Sequence, residues 1–508
     1  MHTVLRNRFL NCAAVVTALV GLAGGESQAN VKLPNIFGDH MVFQQGQKNK
    51  IWGMADAGEA VTVSIDRQSH QATAGADGKW EVALDPLATG GPYTLTVKGK
   101  NEIKIDDVLS GEVWICSGQS NMQWSVNDSN DADLERLGAK FPKLRMINFP
   151  QVGTQEPIWT HERKWMVCTP ETVGGFSAVG YFFGRQLHRT LDVPVGLINN
   201  AWGGSACEAW VRRDLLAADE KYKPLMDRWA QMEAQAAELS AKTDLNDDQK
   251  KQLGNLRRDL GGNHRPANIY NGVLKSHIGY GIRGAIWYQG ESNASRAYQY
   301  RDLFPLMIKN WRDEWGQGDF PFYWVQLADF MAEKSEPGDS QWAELREAQT
   351  MTMARLPNTG EAVIIDIGEG KDIHPKNKVD VGRRLARWAL AKNYGVNVPY
   401  HSPQYKSMEK QDKKIVLTFD FVDGGWRPFD VNEPRGFAIA GEDKKFVWAS
   451  AKILTDGKVE VSSDKVESPA SVRYAWADNP VVNMYSKAGL PLTPFRTDDW
   501  PGVTINSK

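Results

Sequence analysis

The chain has 508 residues, too many for one ordinary hydrophobic core, so two or three domains are expected. Its 60 basic and 62 acidic side chains nearly cancel, leaving a formal net charge of −2 and no concentrated basic stretch. That balance argues against nucleic acid as a partner and gives no field that would favour a strongly charged polymer. The 19 tryptophans can serve as sugar-stacking platforms, although large cores account for most tryptophans in a chain of this size.

At the start, Arg6 and Arg8 precede an apolar stretch from Phe9 to about Ala23, and Ser27-Gln28-Ala29 fits a small-residue cleavage site. Residues 1–29 therefore read as a secretory signal peptide rather than a membrane span. No later stretch is long and apolar enough to cross a bilayer. The mature protein is expected in the periplasm or outside the cell, with no membrane anchor once the signal is cleaved. Cys12 lies inside the signal. Cys116, Cys168 and Cys207 match no zinc spacing and read as structural, with their pairing open, as is the oligomeric state.

Residues 30–107 read as an N-terminal β-sandwich domain. Val61, Val63 and Ile65 alternate with polar residues, as do Trp80, Val82 and Leu84, and then Tyr93, Leu95 and Val97. Asp77-Gly78 and Gly90-Gly91-Pro92 supply turns between them. From 108 to 400 the pattern becomes strands alternating with helices. The apolar runs are Val113–Cys116, Val193–Ile198, Ile282–Tyr288, Phe322–Leu327 and Ala362–Ile367. Helical faces carry Val179, Phe182, Phe183 and Leu187; Leu303, Leu306, Met307 and Trp311; Trp342–Leu356; and Val381, Leu385 and Trp388. This alternation predicts a three-layer α/β/α sandwich around a mostly parallel sheet. A charged helical insertion, 212–262, reads as a hairpin with a capping box at Asn246 and Gln249. It walls a cleft or merely decorates the surface. Residues 401–508 read as a C-terminal β-rich domain, through Ile415, Leu417, Phe419 and Phe421, then Val459 and Val461, then Val472, Tyr474 and Trp476. Whether the two terminal β regions pack together stays open.

Four segments follow predicted strands of the α/β region: Gly118-Gln119-Ser120-Asn121-Met122, Gly203-Gly204-Ser205, Gln289-Gly290-Glu291-Ser292-Asn293 and Asp372-Ile373-His374-Pro375. A parallel sheet carries such loops to one edge, where sites collect. Together they hold the parts of an acyl-transfer site. Ser120 is the candidate nucleophile and His374 the base best placed to serve it. Asp372 is the nearest acid able to orient the imidazole. The Ser120 N–H, a glycine N–H at Gly204 and the Gln289 amide are candidate oxyanion donors. Each residue also has a plainer job open to it: Asp372 can cap the helix that opens near Lys376, and Gln289 and Glu291 can simply bond loop backbone. Water is the second substrate, so no cofactor and no metal is expected.

At these residues the chain resembles the sialate O-acetylesterase-like carbohydrate esterases of the SGNH (GDSL-type) hydrolase superfamily. The segments GEVWICSGQSNMQW, GLINNAWGGSACEAW, RGAIWYQGESNA and DIHPKNKVDVGRRLA carry the resemblance, and LPNIFGDHMVFQQ and NPVVNMYSKAGLPLTPFR extend it over nearly the whole mature chain. The resemblance implies Ser120 as nucleophile, His374 as general base, Gly204 (or Gly203) as an oxyanion glycine and Gln289 (or Asn293) as the side-chain donor. The family's last block usually reads Asp-x-x-His, but residue 371 is Lys371. Asp372, a Ser-His dyad helped by a backbone carbonyl, and Asp366 all stay open for the acid's part.

The function implied is removal of O-acetyl groups from acetylated oligo- or polysaccharide. Near-neutral charge and the tryptophans favour plant polymers such as xyloglucan or xylan, with sialate as the alternative. A sialate enzyme needs an arginine for the carboxylate, and Arg212, Arg283 and Arg346 are available. Two other classes remain: a carbohydrate-binding protein on a retired hydrolase scaffold, and a small-ester or lipid esterase.

Overall fold

The computed structural model describes residues 30–507; the expected signal peptide, with Arg6, Arg8 and Cys12, lies outside the described residues. The central feature is one long strand, Glu102–Gly118. Up to Asp107 its burial alternates, as in a sheet with one wet face; from Val108 to Gly118 every residue is buried. The first part pairs antiparallel with Gly90–Lys98, which continues to Ala60–Ile65 and Gln68–Thr73. The second part is the middle of the parallel sheet. The expected boundary at 107/108 thus falls inside a strand that belongs to both units.

The alternating residues of the N-terminal region behave as their period of two demands. Val61, Val63, Ile65, Trp80, Val82, Leu84, Leu95 and Val97 are all buried. Asn49–Met54 pairs with Lys79–Leu84 as a separate antiparallel ribbon. Their core is continuous with that of the α/β unit, through Val113, Ile115 and Tyr280.

The main sheet runs in the order Thr359–Ala362, Phe322–Val325, Gly284–Tyr288, Glu102–Gly118, Val195–Asn199, Phe141–Asn148 and Met166–Cys168. Every neighbouring pair is parallel except the last. Alternate strand residues serve two different cores. Ile115, Ala285, Trp287, Phe322 and Trp324 share one with helices Ala297–Trp315 and Gln341–Arg355. Trp114, Cys116, Ile286, Tyr288, Tyr323 and Val325 share the other with helices Ala178–Leu191 and Lys378–Tyr394. This is the three-layer α/β/α sandwich expected. Cys116, Cys168 and Cys207 are buried free thiols within it. The strand expected over 362–367 is shorter and earlier. Regular pairing ends at Ala362, because Val363 and Ile365 turn aside into the C-terminal core.

That C-terminal core lies between two four-stranded antiparallel sheets. It does not merge with the N-terminal β core. The insertion is a hairpin of Lys223–Ser240 and Asp247–Leu260, closed on itself by Ala236, Leu239, Leu253 and Leu256, with the expected capping box present.

Arg346 joins the C-terminal unit to the α/β unit. It is fully buried, and its guanidinium donates to the carbonyls of Leu327, Ala328, Ala477 and Asp478. Replacing it takes these donors from all four carbonyls, although Ala328 O keeps Trp342 Nε1 and Asp478 O keeps the Phe330 N–H, and each lost partner of a charged donor costs on the order of 1–3 kcal/mol. Arg346→Met is therefore expected to lower the unfolding free energy by at least about 3 kcal/mol. Urea denaturation followed by tryptophan fluorescence measures it; an unchanged midpoint contradicts the linking role.

Candidate active site

The nucleophile turn begins where two backbones come too close for a side chain. Gly118 has φ +134°, and a Cβ there would sit 2.1 Å from the Tyr288 carbonyl oxygen. Glycine is required on both counts. The ladder persists one residue further, with Gln119 N–H donating to Tyr288 O at 2.9 Å. The chain then turns into the short helix Ser120–Gln123, which lifts the Ser120 hydroxyl off the sheet edge.

His374 arrives from the loop after Thr359–Ala362. Its Nε2 lies 2.8 Å from Ser120 Oγ, although the two residues are 254 positions apart. Trp124 stacks on the imidazole, with ring centroids 4.6 Å apart and planes 14° from parallel. Trp124 was not singled out from sequence, although its place four residues after Ser120 puts it one helical turn along. Burial and the nearby Lys378 cation hold the His374 imidazole below its ordinary range, and Asp372 opposes them.

Asp372 is near the ring without being bonded to it. Its Oδ1 accepts the His374 backbone N–H at 2.9 Å and lies 3.6 Å from Nδ1, beyond hydrogen-bond distance. The side chain folds back on its own loop two residues on, as Asp commonly does. Asp366 is committed elsewhere: its carboxylate takes two hydrogen bonds from Arg384 and one from the Tyr485 hydroxyl.

The Gly203-Gly204 loop touches the nucleophile, since a Cβ on Gly203 would lie 3.4 Å from Ser120 Cβ. It is held from several sides. Trp202 N–H donates to Gly118 O, Gly203 N–H donates to Gln123 Oε1, and Gly204 O meets His264 Nε2 and the Ser292 hydroxyl. Asn263 bonds Gly203 O. The segment just after the insertion therefore braces this loop, while the hairpin helices do not line the cleft. Among the described residues, the Ser120 and Gly204 N–H groups have no protein acceptor.

The expectation for Gln289 needs correction. Its side chain is fully buried, its amide hydrogens go to Ser205 O and Asn293 Oδ1, and its oxygen accepts from Tyr300. Asn293 is equally occupied, by Cys207 N–H and the Glu208 carboxylate. Both amides build the loop, and Gln289 has no hydrogen left for an oxyanion.

Ser120, His374 and Trp124 open on a cleft of about 750 Å³, lined also by Asp128, Asn148, Phe149, Arg163 and Asn199. The arginines expected to matter for a carboxylate lie elsewhere. Arg212 pairs with Asp214 and Glu314, Arg283 with Glu112, and Arg346 is buried. Arg163, not singled out from sequence, faces the cleft with no ion-pair partner among the described residues.

Known proteins place this geometry. The model of the family described as carbohydrate esterase, sialic acid-specific acetylesterase matches residues 110–243 and 264–391, leaving out the second hairpin helix. The sialate O-acetylesterase of Mus musculus is 27% identical, over 95% of this chain and 97% of that protein. The Homo sapiens sialate O-acetylesterase is 26% identical, over 97% and 98%. A solved carbohydrate acetylesterase from Xanthomonas citri is 37% identical with a TM-score of 0.80, covering 93% of this chain and all of that one. With a serine and a histidine meeting at the sheet edge and the family model spanning half the sequence, the chain belongs to the carbohydrate esterase, sialic acid-specific acetylesterase family and is a carboxylic ester hydrolase.

Proposed function

We propose that this protein removes O-acetyl groups from carbohydrate through an acetyl-Ser120 intermediate. The observation that carries the reading is the 2.8 Å contact between Ser120 Oγ and His374 Nε2. His374 takes the hydroxyl proton as Ser120 attacks the acetyl carbonyl. The oxyanion is met by the two N–H groups without protein acceptors, those of Ser120 and Gly204. His374 then gives its proton to the departing sugar oxygen. Water attacks the acetyl-enzyme with His374 again as base, and acetate leaves. A binding protein on a retired scaffold has no use for this pairing.

Asp372 supports the imidazolium by charge at 3.6 Å rather than by a hydrogen bond to Nδ1. The site therefore works as a Ser-His pair with an electrostatic helper. Residues 1–29 serve as the export signal in this reading, so deacetylation takes place outside the cytoplasm.

Arg163 favours a substrate that carries a carboxylate near its acetyl group, as O-acetylated sialic acid does. The names of the Mus musculus and Homo sapiens relatives agree with that choice, while the Xanthomonas citri name specifies no sugar. The tryptophan argument for plant polymers rests on Trp124 in the cleft, because Trp114, Trp165, Trp210, Trp287, Trp311 and Trp324 are all fully buried. Asp128 lines the same cleft and keeps a second reading, a neutral acetylated xylan or xyloglucan, whose hydroxyls can bond to it.

Ser120→Ala is expected to abolish acetate release while circular dichroism stays unchanged; residual activity at the wild-type level refutes the mechanism. Asp372→Asn is expected to lower kcat only about tenfold, against the loss of about 10⁴ seen when a bonded triad acid is replaced. A drop of the larger size means that Asp372 closes onto Nδ1 during turnover. Acetate released from O-acetylated sialic acid, acetylated xylan and acetylated xyloglucan, measured side by side, separates the substrate readings. Arg163→Ala is expected to raise KM for the sialic acid ester by about tenfold or more, corresponding to one charge-assisted pair, and to leave the neutral polymers unaffected. Equal effects on all three exclude a carboxylate contact.

A further inference from the structure

Behind the nucleophile lies a buried polar chain that the acyl-transfer steps do not use. Asn121, 1% exposed, follows Ser120 directly. Its side-chain oxygen accepts from Lys378 Nζ at 2.6 Å. Its side-chain nitrogen donates to Glu291 Oε1 at 2.7 Å and to the Ile373 carbonyl at 3.0 Å. One amide therefore ties together the nucleophile turn, the loop after Gly284–Tyr288, the residue before His374, and the first turn of helix Lys378–Tyr394.

We propose that Lys378 is a positioning residue for the esterase reaction: through Asn121 it sets the approach of Ser120 to His374. This rests on Ser120 and His374 being the nucleophile and base.

The chemistry of the site fits that role and no simpler one. Lys378 is fully buried, and an ammonium there is costly unless it is paired. Among the described residues it has no carboxylate in direct contact; its hydrogen-bond partner is a neutral amide, with the Trp124 and Tyr288 rings 5.9 and 5.3 Å away. A salt bridge serving stability alone needs no amide between its charges. Here the intervening amide is the neighbour of the nucleophile, so the ammonium and the carboxylate together fix the side chain of Asn121. The amide orientation is dictated by the two charges, oxygen towards the cation and nitrogen towards the anion.

The groups facing Lys378 come from every element packed around it. Glu291 lies in the loop after Gly284–Tyr288, Glu369 and Asp372 precede the helix, His374 shares their loop, and the Tyr288 ring covers it from the sheet. Burial pulls the Lys378 amine down to about 7, with Glu291, Glu369 and Asp372 pulling the other way. Burial raises the Glu291 carboxyl, which Asn121 and Lys378 partly offset. The cation lowers His374, so removing it raises His374 and costs active base at the acid side of the pH profile.

Lys378→Met, assayed on an acetyl ester across pH 4 to 9, is the test. The expected results are a fall in kcat of about 10², the size associated with misplacing reacting groups by about 1 Å, with KM little changed. The acid limb of kcat/KM is expected to move up by roughly half a unit to one unit. A folded variant with wild-type kcat and an unmoved acid limb, whatever its melting temperature, overturns the proposal. Should Lys378→Met fail to fold, Glu291→Gln decides: it keeps the shape and the acceptor for Asn121 while removing the counter-charge that keeps Lys378 protonated. Its acid limb is expected to move up as well, and an unmoved limb overturns the proposal. Ser120→Ala run alongside distinguishes the failures, since an active Ser120→Ala sinks the mechanism, whereas an inert Ser120→Ala with unperturbed Lys378 and Glu291 variants sinks this role alone.

Discussion

The close approach of Gly118 to the Tyr288 carbonyl is the constraint on which the rest of the active site depends. Two central strands of a parallel sheet stay paired to their last residues because position 118 carries no side chain and takes φ +134°. Gln119 can then bond Tyr288 O, and the following residue leaves the sheet with its hydroxyl clear of the strand. Any Cβ at 118, only 2.1 Å from the Tyr288 carbonyl oxygen, forces the strands apart, and Ser120 moves with them. The other loops are aimed at the place this turn defines.

What surrounds the turn is a set of braces rather than a set of reactants. Gln289, Asn293 and Tyr300 bond one another beneath the third loop, and Asn263, His264 and Ser292 hold the glycine loop against Ser120. Trp124 confines the imidazole face to face. Such preorganisation lets a serine and a histidine meet at hydrogen-bond distance without reorganising during attack. The acid is the loosest member, held by its own main chain instead of by the ring. Two ionisable groups that burial disfavours, Lys378 and Glu291, hold the neighbour of the nucleophile.

The flanking β units are bound to the α/β unit in different ways. On the N-terminal side the connection is a shared strand and a shared core, so the two cannot part without breaking the central sheet. On the C-terminal side it is a turn of chain after Ala362, which sends Val363 and Ile365 into the far sandwich, together with the buried Arg346. That same detour delivers His374 eleven residues beyond Val363, a short enough span to keep the base near the sheet edge. The C-terminal unit thus has a direct bearing on where the base sits.

Periodicity alone determined much of this protein. Alternation in 61–65, 80–84 and 93–97, continuous apolar runs in the middle, and helical stripes between them were sufficient for an α/β/α sandwich with β flanks. Local rules of burial and backbone geometry act over a few residues, so sequence carries them. The loops holding Ser120, Gly204 and His374 were legible because a parallel sheet sends loops that follow strands to one edge. The partner of each side chain was decided by tertiary structure. Gln289 was read as a donor and is a brace, Asp372 lies beside the ring without bonding it, and Trp124, Asn121, Lys378 and Arg163 went unmarked. Ser120 meets His374 across 254 positions and Asn121 meets Lys378 across 257, each within 3 Å, while Gln289 and Asp372 bond much nearer residues; spacing along the chain encodes neither which partner is met nor at what distance.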